Sequence, residues 1–256
     1  MYIDSHCHIN FPELAENMPA ILGRMAENKV THALCVSVDL PDFPQVLELA
    51  ERHENVFASV GVHPDYPDTV EPSVEDLVRL ADHPKIVAIG ETGLDYFRLE
   101  GDLEWQRERF RTHIRASRAT GKPLIIHTRA AADDTLRIMR EEGANAGVMH
   151  CFTESLAVAE AAIELGFYIS FSGIVTFKSA RDLQAVARAI PLERMLIETD
   201  SPYLAPVPFR GRTNEPSYVR HVAEFIATLR GEPLERIAQQ TTENFFTLFK
   251  MARPHA

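Results

Sequence analysis

The chain is poor in cysteine and short of positive charge, and it has no long apolar run. Each shortage excludes something. Among 256 residues there are three cysteines, Cys7, Cys35 and Cys151. An odd number without a C-x-x-C pair leaves no disulfide framework and fits a reducing compartment. Each lies in an apolar or strand-like stretch, so a buried free thiol is its expected state. Lys and Arg together number 26 against 37 Asp and Glu, a formal net charge of −11. Affinity for a long duplex comes largely from cations that neutralise phosphates, so this balance counts against an extended nucleic-acid groove. It leaves room for a small site that captures one or two phosphates. No apolar run approaches the roughly 20 residues that span a bilayer. Acid and histidine stand near the N-terminus where a signal peptide is basic and then apolar. Cytoplasm is the expected location, with no membrane and no obligate protein partner. Internal repeats, low-complexity tracts and linkers are also lacking, which predicts one domain over residues 1–256.

What is present is a hydrophobic content of 45%, ample for a large core, and a regular alternation of short β-branched runs with amphipathic segments. The pattern predicts strands at Tyr2–Ser5, Ala33–Val38, Val56–Val60, Ile86–Gly90, Leu124–His127, Gly147–His150, Phe167–Ser170 and Met195–Glu198. Helical periodicity fills the gaps between them, and two further helices close the chain, at Ser217–Arg230 and Leu234–Leu248. Strands alternating with helices imply parallel βαβ units. A doubly wound sheet and a closed barrel both fit that alternation; eight strands in about 250 residues favour a (β/α)8 TIM barrel with its active site at the C-terminal rim.

Ligand-type residues fall at those strand ends. His6 and His8, in Asp4-Ser5-His6-Cys7-His8, lie on one face of the first strand, with Cys7 on the other. His63 follows the third strand, Glu91 the fourth, and Asp200 the eighth. His127 ends the fifth and His150 the sixth. Any one of these has a plain structural use, such as a cap or a turn. Four histidines and two carboxylates at equivalent ends of five strands are hard to explain as separate caps and predict a metal site. Imidazole and carboxylate without thiolate suit Zn, Mn, Fe, Co or Ni, and can host Mg. Six ligands exceed the needs of one catalytic ion, so two ions roughly 3.5–4 Å apart are expected. Glu91 is the expected bridge. His6, His8 and Asp200 are assigned to one ion, and His127 and His150 to the other.

The motifs in order are D-S-H-C-H, G-V-H-P at Gly61, G-E-T-G-L-D-Y at Gly90 and I-I-H-T-R at Ile125. H-C-F at His150, E-T-D-S-P-Y-L-A-P at Glu198, R-G-R-T-N-E-P at Arg210 and T-x-x-N-F at Thr241 complete the series. In this order and spacing, over the whole chain, the sequence resembles the TatD family of metal-dependent deoxyribonucleases within the amidohydrolase superfamily. The resemblance implies a TIM barrel with two divalent ions (Mg, Mn or Zn) and hydrolysis of DNA, typically as a 3′→5′ exonuclease acting on single strands or ends. Its metal positions match the six residues assigned above. Asp65, Ala130 and Thr213 depart from residues common in relatives, and Asp65 and Ala130 lie near the expected substrate path.

The expected reaction is attack of a metal-activated water on phosphorus, with Asp200 as general base and Glu91 as the shared carboxylate. His63, Arg129 and Arg210 are candidates to hold the phosphate, and Tyr203 and Phe209 to stack on a base. For these two aromatics, packing of the late loop against the rim is the plainer expectation. The charged segment Arg107–Arg118 reads as a solvated helix face, and Thr241–Asn244 as a helix start with capping residues. A small ester, lactone or cyclic amide is the alternative substrate class, and a non-enzymatic metal-binding protein a third possibility.

Overall fold

The computed structural model describes residues 1–252, and the last four residues of the expected 1–256 domain lie outside that range. Eight strands run β1 Tyr2–Cys7, β2 Val30–Cys35, β3 Val56–Val60, β4 Ile86–Asp95, β5 Leu124–Arg129, β6 Gly147–Met149, β7 Phe167–Phe171 and β8 Met195–Ile197. The helices are α1 Pro12–Ala15, α2 Met18–Glu27, α3 Phe43–Arg52, α4 Val74–Ala81, α5 Glu104–Thr120 and α6 Ala132–Glu141. They continue with α7 Leu156–Glu164, α8 Arg181–Ala189, α9 Val219–Arg230 and α10 Leu234–Leu248. Each strand pairs in parallel with the next in chain order, as the alternation predicts.

The ring closes between β1 and the chain leaving β8. Asp200 N donates to His6 O at 2.9 Å and His8 N to Ser201 O at 2.8 Å. Side chains reinforce this seam. Buried Asp4 accepts from Thr199 N at 2.8 Å and Thr199 Oγ1 at 2.5 Å, and Ser5 Oγ donates to Ile197 O at 3.0 Å. These contacts set the segments that carry His6, His8 and Asp200 against one another.

One apolar cluster takes a residue from every strand: Ile3, Leu34, Phe57, Val87, Ile125, Val148, Tyr168 and Leu196. It fills the barrel, and Phe245 and Phe249, at the end of α10, plug its lower end. A larger cluster lies between the strands and the helical ring, built on residues such as Leu77, Phe110, Ile114, Leu136, Val186 and Val222. Two buried layers force the strands to be apolar on both faces, which is why they read as short continuous runs.

The structure corrects several boundaries. β4 continues through Glu91 to Asp95 because glycines at 90 and 93 interrupt its composition without ending its pairing with β5. β2 begins at Val30 and ends at Cys35, short of Val38. Thr241–Asn244 is not a helix start; it lies inside α10. Thr241 Oγ1 donates back to Ile237 O at 2.8 Å, and Asn244 Nδ2 reaches Leu192 O and Met195 O, each at 2.8 Å, at the entry to β8. These polar groups are satisfied within and across elements and have no capping work to do. On α5, Arg107, Arg111 and Arg115 pair with glutamates as a solvated face should. Arg109 differs: it is buried and donates to His63 O at 2.9 Å and Tyr66 O at 3.0 Å, holding the loop after β3. Among the described residues, no helix is long and apolar enough to cross a membrane.

Candidate metal centre and active site

All six predicted ligands meet at the C-terminal rim. His6 lies within β1 and His8 just beyond it, so their side chains share a face, and the two Nε2 atoms are 3.2 Å apart. Glu91 on β4 stands at the centre, and its two carboxylate oxygens divide the histidines between them. Oε2 lies 3.3 Å from His6 Nε2 and 3.8 Å from His8 Nε2. Oε1 lies 2.8 Å from His150 Nε2, 3.5 Å from His127 Nδ1 and 3.3 Å from His63 Nε2. Asp200 Oδ1 completes the first side, 3.5 Å from His8 Nε2 and 3.7 Å from His6 Nε2. His63, expected at the substrate, therefore lies against Glu91 together with His127. His150 stacks on His6 with ring centroids 3.8 Å apart.

The far nitrogens of three rings are tied outward, which turns the near nitrogens inward. His8 Nδ1 meets Val36 O at 3.0 Å, His150 Nδ1 meets Glu198 Oε1 at 3.2 Å, and His127 Nε2 meets Asp95 Oδ2 at 3.0 Å. Such outer partners set the tautomer and leave the inward lone pair for a metal. Sequence reasoning missed Asp95 and Glu198. Asp95 was legible as a carboxylate four residues after Glu91, on the same strand face, once β4 is allowed its full length. Gly93 between them has φ +127°, and a Cβ there would lie 2.0 Å from His127 O, so only glycine lets β5 come this close.

Electrostatics match this geometry. Burial opposes ionisation of Glu91, but the imidazoles of His150, His63 and His6 and a bond from His127 hold its carboxyl well below the usual range. Burial likewise opposes Asp200, and His8, His6 and His150 bring it down. Buried carboxylates facing several nitrogens form a ready cation site. Three groups have ligand atoms lying within 4.8 Å of one another: His6, His8 and Asp200; His6, Glu91 and His150; His63, Glu91 and His127. His150 Nε2 makes no aligned hydrogen bond despite its nearness to Glu91, and two imidazole nitrogens 3.2 Å apart can share at most one proton. Lone pairs converging in this way fit divalent ions of the imidazole–carboxylate class.

Above these groups opens a cavity of about 350 Å³, lined among others by Phe11, His63, Asp65, Tyr66, Arg129 and Tyr203. Tyr203 is 54% exposed at its lip. Arg129 is engaged: its Nε and Nη2 reach Asp95 Oδ2 at 2.7 and 2.5 Å, and its guanidinium covers Phe97. Arg210 does not line the cavity; it lies over the Phe177 ring, 3.9 Å from the centroid. Phe209 stacks on Tyr218 at 4.1 Å, the loop packing expected of it. The rim is also where most of the strained backbone collects. Ala130, Cys151, Asp200 and Leu204 all have positive φ, between 41° and 58°.

Comparison with known proteins agrees with the motifs and the geometry. The family model described as TatD related DNase matches residues 3–250. The chain belongs to the TatD-related DNase family. It is 47% identical over 253 residues to the metal-dependent hydrolase YcfH of Escherichia coli K12, covering 96% of this chain and 95% of that one. It is 42% identical over 256 residues to YabD of Bacillus subtilis, also described as a metal-dependent hydrolase, covering 98% of this chain and 100% of that one. The crystal structure of the TatD homologue YjjV from Escherichia coli K12 superposes with a TM-score of 0.91 at 32% identity, over 97% and 98% of the two chains. Membership in the TatD family carries the class of chemistry, metal-dependent hydrolysis, while the bond cleaved is a separate question.

Proposed function

We propose that this TatD-family chain hydrolyses phosphodiester bonds of DNA, shortening single strands from the 3′ end, with two divalent ions drawn from Mg, Mn and Zn. The observation that carries this reading is the division of ligands by Glu91, with His6, His8 and Asp200 on its Oε2 side and His127 and His150 on its Oε1 side. Divalent ions supply Lewis acidity at the phosphoryl oxygens and acidify water so that a nucleophile is available near neutral pH. Asp200, at the cavity floor with its pKa held down by the neighbouring imidazoles, is the residue placed to take the proton of an attacking water. His63, on the cavity side of Glu91, donates to a phosphoryl oxygen. Arg129 keeps one guanidinium edge for the same group while Asp95 holds the other. Tyr203 offers its exposed ring to the terminal base. The free thiols Cys7, Cys35 and Cys151 suit work in the cytoplasm.

A second reading is hydrolysis of a small ester, lactone or cyclic amide. It is favoured by the scarcity of positive charge at the cavity, where, among the described residues, Arg129 is the only Lys or Arg in the lining and is already paired. Purified protein with added Mg, Mn or Zn should shorten 3′-extended, 5′-labelled single-stranded oligonucleotides stepwise. Turnover of a lactone panel with the DNA intact would replace the first reading by the second.

A further inference from the structure

Asp95 sits at the end of β4, fully buried, four residues beyond Glu91. Its Oδ2 accepts from His127 Nε2 at 3.0 Å and from Arg129 Nε and Nη2 at 2.7 and 2.5 Å. Its Oδ1 accepts from Phe97 N at 2.9 Å. The Gln106 side chain fixes its backbone on both sides, accepting from Asp95 N at 2.8 Å and donating to Asp95 O at 3.1 Å. The same amide nitrogen reaches Pro64 O at 3.2 Å, in the loop that bears His63. One carboxylate oxygen, clamped in place, thus serves a candidate metal ligand and the guanidinium of Arg129 in the cavity wall.

We propose that Asp95 is a positioning residue that sets two things at once. It commits His127 to the tautomer with the proton on Nε2, so that Nδ1 faces Glu91 with its lone pair free. It also holds Arg129 against the cavity wall, so that metal affinity and substrate affinity share one support. This rests on the metal-centre reading above and goes beyond it, because the residue touches neither ion nor substrate. A carboxylate is required. An asparagine of the same shape can keep the bond from Phe97 N through its oxygen, but it turns an NH2 toward His127 and Arg129. His127 Nε2 must then accept, which moves the ring proton to Nδ1, on the metal side. An Asp-to-Asn change behind a catalytic histidine has this effect in serine proteases.

The test has three arms. In the wild type loaded with diamagnetic Zn²⁺, nitrogen-15 imidazole NMR should show His127 with its proton on Nε2 and none on Nδ1, and a proton on Nδ1 overturns the proposal whatever the activity. In calorimetric titration with Mn²⁺, Asp95→Asn should weaken one of two binding events by about ten- to a hundredfold and spare the other, the range seen for outer partners of metal ligands. Arg129→Ala should leave both binding events unchanged and raise KM for a single-stranded oligonucleotide. Unchanged Mn²⁺ affinity in a folded Asp95→Asn protein would reduce Asp95 to a tether for Arg129 and overturn the proposal. Wild-type protein with ordered Mn²⁺ binding but no action on DNA would overturn the substrate assignment and leave Asp95 standing. No Mn²⁺ binding by the wild type would remove the metal-centre reading itself.

Discussion

The two ends of the barrel both gather polar side chains, and they gather them in opposite ways. At the lower end, cations meet carbonyls. Lys85 Nζ donates to His53 O and Glu54 O at 2.9 Å and to Val56 O at 3.1 Å, and Lys122 Nζ donates to Ala81 O, His83 O and Ile86 O. Donors there are matched to acceptors, and the loops that feed the strands are tied down. At the upper end acceptors meet acceptors: imidazole lone pairs and carboxylates point at one another around Glu91. Convergence of polar groups is therefore not by itself the mark of a site. The mismatch is, because a set of buried acceptors is stable only with a cation or protons among them.

The largest effect that could break this contrast is expected from Asp200→Asn. It should lower kcat on single-stranded DNA by about a thousandfold, within the range for a lost general base, while the melting temperature holds or rises. Retained turnover would remove Asp200 from the chemistry. Lys122→Met at the other end should do the reverse. It leaves three carbonyls without their shared donor and should cost about 2 kcal/mol in urea unfolding, with kcat unchanged. Loss of activity at constant stability in that variant would erase the distinction between the ends.

The smallest effect sharpens it, because it comes from a group beneath the rim whose work is structural. Burial holds His113 neutral, with its pKa lowered from 6.5 to about 4. Its Nε2 accepts from Val62 N at 3.0 Å, next to His63, and its Nδ1 donates to Arg109 O at 2.8 Å. The unfolded chain binds a proton near pH 6.5 and the folded chain does not until about pH 4. The contribution to stability is thus complete above about pH 6.5 and is lost as pH falls toward 4. Urea unfolding at pH 7.5 and 5.5 should show the wild type losing about 1.4 kcal/mol more than His113→Gln over that interval. Equal losses would mean that His113 is protonated within the fold.

Much of this was legible in the chain. All eight strands appear where short apolar runs predict them, because a strand buried on both faces leaves a strong local record. The six residues at the centre of the rim were legible for a related reason: strand ends face a common direction in a parallel barrel. The outer partners were harder to read. Asp95 acts on His127, and Glu198 on His150, across separations that no periodicity records. Asp95 was hidden further by the glycines that make β4 look finished at residue 90. Arg129 and Arg210 look alike in sequence, and only the packing of Arg129 on Asp95 and Arg210 on Phe177 separates them. Thr241 and Asn244 resemble caps because hydroxyl and amide groups end helices, yet here they bond within α10 and to the entry of β8.

The seam between β1 and the end of β8 gives the centre a place in time. His6 and His8 leave the ribosome before Asp200, which completes their group and follows nearly two hundred residues later. A nascent chain therefore carries two of the three members of that group while the intervening strands are made. An ion held by all three residues would join the first strand to the exit of the last and so fasten the ring where the backbone ladder is thinnest. Binding there would add its free energy to closure in proportion to the logarithm of ion concentration over Kd. Occupancy of that group would then report that the barrel has closed.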